Sequence, residues 1–340
     1  MKLFRNDYSE LAHPRILDAL KRYEDEQNTP YGLDEHSLNA EKMILETFNS
    51  PKGKVFFLAG GTQTNVLFIS SLLKHYEGVI ACDSGHINVH ETAALEGQGY
   101  KIITVLGKDG KVYPEDIEKV MKTYINEHMV KPAMVYISNS TEIGTIYTKD
   151  ELLALREVTK KYGLYLFMDG ARLGSALTSR NNDVPPSLLG EVVDAFYVGG
   201  TKNGMLFGEA LVINNEDLAE NFRYHIKNKL AMLAKGFVVG IEFEEAFKDG
   251  LYFELAKQTN AMADLLKDNF KMLGLDILPS PTNQIFLTID KDKATKLMDR
   301  YGCELWEDKG DKLIIRFVTS FLTIEDDVEE LASYISSLLS

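Results

Sequence analysis

The chain has 340 residues, 45% of them apolar and 26% charged, which predicts a globular protein with one large domain and one smaller one. Its formal net charge of −14 disfavours nucleic acid or an anionic membrane as the main partner, because both attract basic surfaces. Two cysteines without a CxxC motif or a Cys/His cluster predict no disulfide framework and no metal site, and they fit a reducing cytoplasm. The opening residues MKLFRNDYSE contain no apolar segment, so a signal peptide is not expected.

Short β-rich segments alternate with longer amphipathic segments through the first part of the chain. The predicted strands cover residues 54–58, 79–82, 101–105, 134–137, 164–168 and 195–198, and the predicted helices cover 64–75, 90–97, 114–128 and 148–162. Pro114 favours the start of one helix, and Thr148 with Glu151 has the spacing of a cap at the start of another. Strands separated by helices predict a mostly parallel sheet, which binds ligands at the carboxyl ends of its strands.

The second part of the chain predicts the end of the large domain and a smaller α/β domain. Residues 216 to about 248 have a long helical pattern with few helix breakers. The elements predicted after Gly250 are a helix around Ala256, Met262 and Leu265, strands at 284–289 and 313–318, and helices at 294–301 and 324–339. We therefore predict a large domain over 1–248, whose N-terminal segment is a candidate to pack on the small domain, and a small C-terminal domain over 249–340.

A glycine-rich turn follows the first predicted strand. Gly60 and Gly61 permit a tight turn and close backbone approach, and Thr62 and Thr64 place hydroxyl groups at the start of the next helix. The free N–H groups of a helix N-terminus bind anions, so this segment is a candidate phosphate site. A turn with a threonine cap is the simpler alternative, and the motif alone leaves it open.

An aspartate stands at the end of the apolar strand predicted at 164–168. A buried carboxylate such as Asp169 needs a partner to offset its desolvation, and a cationic ring nitrogen would be one. Capping of the next turn, or an ion pair with Arg172, explains the residue equally well.

A lysine follows the strand predicted at 195–198. Lys202 lies between a Gly-Gly pair and an Asn-Gly pair, which predicts a tight loop at the edge of the sheet. A lysine amine becomes nucleophilic when burial or neighbouring charges lower its pKa. The alternative is an ordinary solvated loop lysine.

The three segments together indicate one cofactor. Pyridoxal 5'-phosphate (PLP) needs a phosphate cup, an acid beside its pyridine nitrogen and a lysine that forms a Schiff base. The glycine-rich turn, Asp169 and Lys202 supply these groups in that order along the chain.

With these segments the chain resembles the threonine aldolase branch of the fold-type-I PLP enzymes, often grouped as aromatic amino acid beta-eliminating lyases and threonine aldolases. The resemblance runs from Phe4 to about Thr319, and its most specific part is Asp-Gly-Ala-Arg at 169–172 followed by the Thr-Lys pair. It implies a large domain with a mostly parallel seven-stranded sheet between helices, plus a smaller C-terminal α/β domain. The matching segments are Phe4-Arg5-Asn6-Asp7, Tyr31-Gly32-x-Asp34, Gly60-Gly61-Thr62-x-x-Asn65, Asp169-Gly170-Ala171-Arg172, Thr201-Lys202 and Arg316-Phe317-Val318-Thr319.

The resemblance also implies a role for each matching residue. Lys202 would hold PLP as the internal aldimine, Asp169 would keep the pyridine nitrogen protonated, and His86 would lie over the ring face. Glu91 would be a partner near the site. The residues implied to bind the cofactor are Gly61, Thr62, His86, Asp169, Thr201, Lys202 and Lys235, and those implied to hold the substrate carboxylate are Asn6, Arg172 and Arg316.

Each of these roles has a structural alternative. His86 could be a loop histidine with a satisfied hydrogen bond, Glu91 could open a helix, and Arg316 could form a structural ion pair. Lys235 falls near a family position that reaches the phosphate of a neighbouring subunit. The resemblance therefore also implies a homodimer or homotetramer with active sites at the subunit interface.

One segment departs from the family. Where the family has Glu-Asn-Thr-His-Asn, this chain has Ser-Asn-Ser-Thr-Glu at 138–142. The family histidine helps to handle the substrate hydroxyl, and Thr141 cannot replace it as a base at neutral pH. Glu142, His86 or a phosphate-bound water are the candidates to substitute. The departure bears on the aldol substrate rather than on the cofactor.

The reaction that the resemblance implies is retro-aldol cleavage of threonine or allo-threonine to glycine and an aldehyde, through an external aldimine. Another PLP reaction on the same scaffold, such as β-elimination or racemisation, is the first alternative, because one fold supports many chemistries. A non-catalytic scaffold that binds a phosphorylated ligand is the second.

Overall fold

Two sheets and the helices that cover them make up this computed structural model, which describes residues 3–339. The strands are β1 (Lys54–Leu58), β2 (Glu77–Cys82), β3 (Lys101–Val105), β4 (Lys131–Ser138), β5 (Tyr165–Asp169), β6 (Ala195–Gly199), β7 (Glu209–Ile213), β8 (Asp276–Ile277), β9 (Gln284–Asp290), β10 (Glu304–Asp308) and β11 (Lys312–Val318). The helices are α1 (Pro14–Arg22), α2 (Glu35–Thr47), α3 (Gly61–Leu72), α4 (His86–Val89), α5 (Pro114–Thr123), α6 (Lys149–Tyr162), α7 (Leu173–Thr178), α8 (Leu189–Val192), α9 (Glu216–Ala219), α10 (Phe222–Asn228), α11 (Phe237–Phe247), α12 (Leu251–Met272), α13 (Lys291–Tyr301) and α14 (Glu325–Leu339).

The large sheet has seven strands in the order β1-β7-β6-β5-β4-β2-β3. Only β7 runs against the others, since it pairs antiparallel with both β1 and β6. Neighbouring residues of a strand enter opposite cores: Ile80 and Val135 lie in one apolar cluster, while Val79 and Met134 lie in another. The sheet is therefore buried on both faces, as a parallel sheet between helical layers must be. This architecture confirms the predicted fold class.

The small sheet has four antiparallel strands in the order β10-β11-β9-β8. The N-terminal segment joins it: Phe4 is buried in the core of this sheet, its N–H donates to the Tyr301 carbonyl at 2.8 Å, and its carbonyl accepts from Val318 N at 2.9 Å. Helix α12 links the two sheets, because Asn260 Nδ2 donates to the Ser175 carbonyl at 2.9 Å while Phe270 packs in the small core. The division at residues 248 and 249 remains a prediction.

Two predicted helical segments differ in detail from the structure. The segment with a helical pattern from 216 to about 248 forms three helices, α9, α10 and α11, with Leu230 at a φ of 61° between the last two. The intervening chain packs on another loop, where Tyr31 N donates to the Ala234 carbonyl at 3.0 Å and a Cβ on Gly236 would lie 2.8 Å from Gly32 N. This long-range contact interrupts the helix.

The helix predicted over 90–97 is absent: α4 ends at Val89, before this range, and a short 3-10 turn at Glu96–Gln98 overlaps only its end. Thr92 and Ala93 adopt φ values of 50° and 56°, so the backbone turns away from a helix there. The turn follows Glu91, which is buried and whose Oε1 contacts Asn65 Nδ2 and His86 Nδ1. No helix of residues 3–339 combines the length and apolar character needed to cross a bilayer.

Candidate active site

The candidate residues follow strands that end at one edge of the large sheet. Strands β1, β2, β4, β5 and β6 share a direction, so the loops after their carboxyl ends lie on the same side. These loops carry Gly60 and Gly61 after β1, His86 after β2, Glu142 after β4, Arg172 after β5 and Lys202 after β6. The placement agrees with the expectation that ligands bind at the carboxyl ends of parallel strands.

Asp169 ends β5 and is only 4% exposed. Tyr136 Oη and Asn65 Nδ2 donate to its Oδ2 at 2.6 and 3.1 Å, and Ala171 N donates to its Oδ1 at 3.0 Å. Burial alone would raise the pKa of Asp169, but the charge of His86 and these hydrogen bonds hold the pKa below its usual value. The carboxylate is therefore charged, and its hydrogen-bond donors among the described residues are neutral.

His86 is tied to Glu91 beside that carboxylate. Its Nδ1 lies 2.8 Å from Glu91 Oε1, which also accepts from Asn65 Nδ2 at 2.8 Å. The backbone N–H of His86 donates to Glu142 Oε1 at 2.8 Å. Glu91 thus fixes the imidazole ring of His86, and Glu142 fixes the backbone of its loop. Asn65, on a third segment of the chain, holds Glu91 in turn.

Lys202 follows β6 and lies in a mixed electrostatic field. Burial and the charge of Arg172 lower the pKa of Lys202, while Asp7, Asp169 and Glu209 act in the opposite direction. Its Nζ lies 5.7 Å from the centre of the Tyr8 ring. A lowered pKa makes the unprotonated, nucleophilic amine more accessible near neutral pH.

Beneath this lysine lies a buried acid. Glu209 Oε2 accepts from Gly200 N at 3.0 Å, and burial raises the pKa of Glu209 to about 8. Thr201 closes the same loop, because its Oγ1 accepts from Gly208 N at 3.0 Å. The loop that carries Lys202 is thus hydrogen-bonded to Glu209, the first residue of β7, and to Gly208 just before it.

Two arginines reach the site from the two sheets. Arg172 Nε and Nη2 donate to Asp7 Oδ2 and Oδ1 at 2.7 and 3.0 Å. Arg316 donates to Glu304 and, through Nη1, to Gln284 Oε1 at 3.2 Å. Burial and the charge of Arg172 lower the pKa of Arg316. Each guanidinium has its own carboxylate, although the charge of one acts on the other.

These side chains surround one cavity of about 340 Å³. It lies between the strand ends of the large sheet and the hairpin of β10 and β11. The residues that line it are Tyr8, His86, His90, Glu142, Arg172, Lys202, Glu304, Leu305, Trp306 and Arg316. A lysine, a histidine and two arginines predicted from the sequence thus share one cavity large enough for a small amino acid.

Other predicted residues do not line this cavity. Gly61 begins α3, whose N-cap residue Gly60 supplies no side-chain hydrogen bond, and Thr62 is exposed at the same helix end. Asn6 turns back on its own segment, where its Oδ1 accepts from Tyr8 N and Ser9 Oγ at 3.0 and 2.8 Å. Lys235 is exposed on the loop before α11.

Two acids of the site were missed in the sequence. Asp7, beside the predicted Asn6, meets Arg172 across 165 positions of the chain, a pairing that no local pattern reveals. Glu209 begins β7, and a charged residue at the start of the apolar segment ALVI was the only signal available. Both acids become visible only when the topology brings distant segments together.

The residues present fit PLP. Asp169 is a buried carboxylate without a cationic hydrogen-bond donor among residues 3–339, as required of a group that faces a cationic pyridine nitrogen. The N-terminus of α3 has no side-chain cap, and a Cβ on Gly60 would meet nothing within 4 Å, so a phosphate can approach the backbone. Lys202 supplies the amine. Fold and site together define a fold-type-I PLP-dependent enzyme.

The family model for beta-eliminating lyases matches residues 14–292, and the chain belongs to this family. It is 31% identical to the low specificity L-threonine aldolase of a Pseudomonas species, over 98% of this chain and 97% of that protein. The corresponding Pseudomonas aeruginosa protein is 30% identical over 89% of this chain and 88% of its own length. A solved Leishmania major threonine aldolase superposes with a TM-score of 0.98 at 41% identity and covers 100% of both chains. PLP is the cofactor of this site.

Proposed function

We propose that this chain is a PLP-dependent aldehyde-lyase that cleaves threonine or allo-threonine into glycine and acetaldehyde. The observation that carries the proposal is the single cavity of about 340 Å³ in which Lys202, His86 and two arginines meet. Relatives named low specificity L-threonine aldolase over nearly the whole chain support the same substrate class.

Each residue has a distinct part in the proposed reaction. Bound PLP would accept the electron pair that C–C cleavage leaves on the substrate α-carbon. Lys202 would hold the cofactor and release it to the substrate amine, while Asp169 would keep the pyridine nitrogen protonated. Arg172 and Arg316 bind the substrate carboxylate as charged hydrogen-bond donors.

The test is product analysis on the holoprotein. Threonine, allo-threonine, phenylserine and serine are incubated separately, and glycine, aldehyde and keto acid are measured. Glycine and aldehyde in equal amounts from the β-hydroxy amino acids are the expected result. Keto acid from serine or threonine without glycine would instead indicate β-elimination on the same scaffold.

We further propose a cytoplasmic homo-oligomer with Lys235 reaching the cofactor phosphate of a neighbouring subunit. The exposed position of Lys235 supports a role outside its own chain, and the adjoining loop exposes the apolar side chains of Tyr31 and Leu33. Cys82 and Cys303 are both unpaired and buried, which supports a reducing compartment.

A further inference from the structure

The cavity contains an acidic side chain that none of the assigned roles uses. Glu142 is buried, lines the cavity beside His86 and Lys202, and follows β4 where Thr141 stands in place of the family histidine. Thr141 itself is tied into a turn, because its Oγ1 lies 2.7 Å from Thr145 Oγ1 and accepts from Thr145 N at 3.1 Å. The threonine is therefore occupied, while the glutamate faces the substrate space.

The two oxygens of Glu142 have different surroundings. Oε1 accepts from His86 N and Ser138 Oγ, both at 2.8 Å, which fixes the side chain. Oε2 is buried and has no hydrogen-bond partner among the described residues. A buried acceptor without a partner is costly, and a hydroxyl group of a bound substrate would supply the missing donor.

Other titratable groups of the cavity are either engaged or exposed. Lys202 is assigned to the cofactor, Glu304 is paired with Arg316, and His86 Nδ1 is held by Glu91. His90 is exposed and lies against the Trp306 ring, with 6.3 Å between ring centres. Of the two acids that line the cavity, Glu142 is thus the buried one, and its Oε2 has no partner among the described residues.

We propose that Glu142 is the catalytic base that removes the proton from the substrate β-hydroxyl group, an inference that rests on the proposed aldolase function. The proton moves from the hydroxyl oxygen to Glu142 Oε2, and the oxygen's electron pair forms the C=O bond of the aldehyde. The Cα–Cβ bond breaks, and its electron pair stays with Cα, where a proton restores glycine. No external oxidant or reductant is needed, because the electron pair that Cβ loses stays on Cα.

The electrostatics of Glu142 agree with this role. Burial and the nearby Asp169 raise the pKa of Glu142, while the Ser138 hydrogen bond and the charge of His86 act to lower it. A base whose pKa is closer to neutral accepts a proton more readily than an exposed glutamate does. The titratable and charged groups that interact with it are Asp169, His86, Arg172, Tyr136 and Tyr147, and those that share its cavity are Tyr8, His90, Lys202, Glu304 and Arg316.

The decisive variant is Glu142→Gln, because the amide oxygen can still accept from His86 N and Ser138 Oγ while the base is lost. We expect kcat/KM for threonine cleavage to fall by at least ~100-fold, the lower end for loss of a general base. Exchange of a glycine α-proton with deuterated water should continue, since it needs cofactor, Lys202 and carboxylate binding but no base for a hydroxyl group. The visible absorbance of the bound cofactor should be unchanged.

Ser138→Ala gives a second readout that a structural role would not produce. It removes a hydrogen bond that lowers the pKa of Glu142, so that pKa should rise further. The acidic limb of the kcat/KM profile for threonine should therefore move to higher pH, and Glu142→Gln should lack this limb.

Three results would overturn the inference. Glu142→Gln could cleave threonine at the wild-type rate, it could lose glycine exchange together with cleavage, or the Ser138→Ala profile could keep its limb at the wild-type pH. If the wild-type holoprotein releases no aldehyde from any β-hydroxy amino acid, the proposed function itself fails and this inference fails with it. If the wild type and Glu142→Gln are both active, only the role of Glu142 is contradicted, and the proposed function stands.

Discussion

Lys202 owes its expected reactivity to its neighbours rather than to its sequence motif alone. The Gly-Gly and Asn-Gly pairs set the loop, but burial and Arg172 lower the pKa of the amine. Lys202→Ala should therefore abolish aldehyde release and the fixation of PLP to the chain by borohydride. Lys257→Ala, at an exposed lysine of α12, is the matched control and should retain both. Borohydride fixation of PLP to another lysine in Lys202→Ala would contradict the assignment.

Asp169 is proposed to act as a single buried charge on the ring of the bound cofactor. Its hydrogen-bond donors Tyr136, Asn65 and Ala171 orient the carboxylate without neutralising it. Asp169→Asn should keep the fold but cannot hold the pyridine nitrogen protonated. We expect a loss of at least ~100-fold in kcat, the scale of one strong electrostatic contribution. Turnover of Asp169→Asn near the wild-type rate, with an unchanged melting temperature, would show that Asp169 serves only the local turn and not the cofactor.

The elements that the sequence predicted best are those with local signals. All six predicted strands of the large domain appear as strands of the large sheet, because continuous apolar segments bury both faces. The cap at α6 is also confirmed, since Glu151 N donates to Thr148 Oγ1 at 3.3 Å and Thr148 N donates to Glu151 Oε2 at 2.8 Å. Local hydrogen bonds and burial sufficed in these cases.

The elements that the sequence did not reveal depend on distant partners. Strand β7 was not predicted, although it runs between β1 and β6 and carries Glu209 at the site. Strand β10 has a polar pattern with a pairing irregularity between Leu305 and Glu307, and only its partner β11 defines it. The same holds for the contact of Asp7 with Arg172. The motif residues of the site were visible in sequence, whereas the acids that tune them were not.

Helix α11 contains an acid whose protonation should govern stability at alkaline pH. Glu242 is fully buried, its Oε2 accepts from Leu206 N at 2.7 Å, and burial raises its pKa to about 8. The folded protein thus binds this proton more tightly than the unfolded chain does. The stabilisation that protonated Glu242 gives to the folded protein is fully present below the ordinary glutamate pKa and is lost as pH rises through about 8.

Glu242→Gln should remove this dependence, because the amide stays neutral and can still accept from Leu206. We expect the melting temperature of the wild type to fall more than that of the variant between about pH 5 and about pH 9. Over the same pH range, the free energy of unfolding of the wild type should fall by a few kcal/mol more than that of the variant, since each pKa unit is worth about 1.4 kcal/mol. Glu254→Gln, at an exposed position of α12, is the control. Parallel melting curves for Glu242→Gln and the wild type would contradict the prediction.

At the scale of the whole molecule, one arginine from beside each sheet lines the same cavity, where we propose that both bind the substrate carboxylate. Arg172 follows β5 and Arg316 lies in β11, and each already holds a carboxylate of the protein. These carboxylates allow two cations to face one cavity before substrate binds. Protein carboxylates therefore offset part of the repulsion between the two guanidinium groups.

Arg172→Lys and Arg316→Lys should each raise KM for threonine while PLP stays bound, because lysine lacks the planar fork that binds a carboxylate. Loss of a charged hydrogen bond predicts an increase of roughly 10-fold to 100-fold. Arg156→Lys, whose guanidinium pairs with Asp194, is the control for the substitution itself. An unchanged KM in both variants would assign these arginines to protein ion pairs alone.

The assembly prediction concerns Lys235, which is exposed in its own chain. If Lys235 reaches the phosphate of a neighbouring subunit, Lys235→Ala should bind PLP more weakly and cleave threonine more slowly.

Mixing unfolded Lys235→Ala and Lys202→Ala chains and refolding them together should restore activity. In a mixed oligomer, one site combines its own Lys202 with Lys235 from the other chain, so that site is complete. Lys235→Ala refolded with the double variant Lys202→Ala/Lys235→Ala should gain nothing, because neither chain can supply Lys235. Equal activity in the two mixtures would show that Lys235 does not act between subunits, and a mass of one 38.3 kDa chain by light scattering would exclude the oligomer itself.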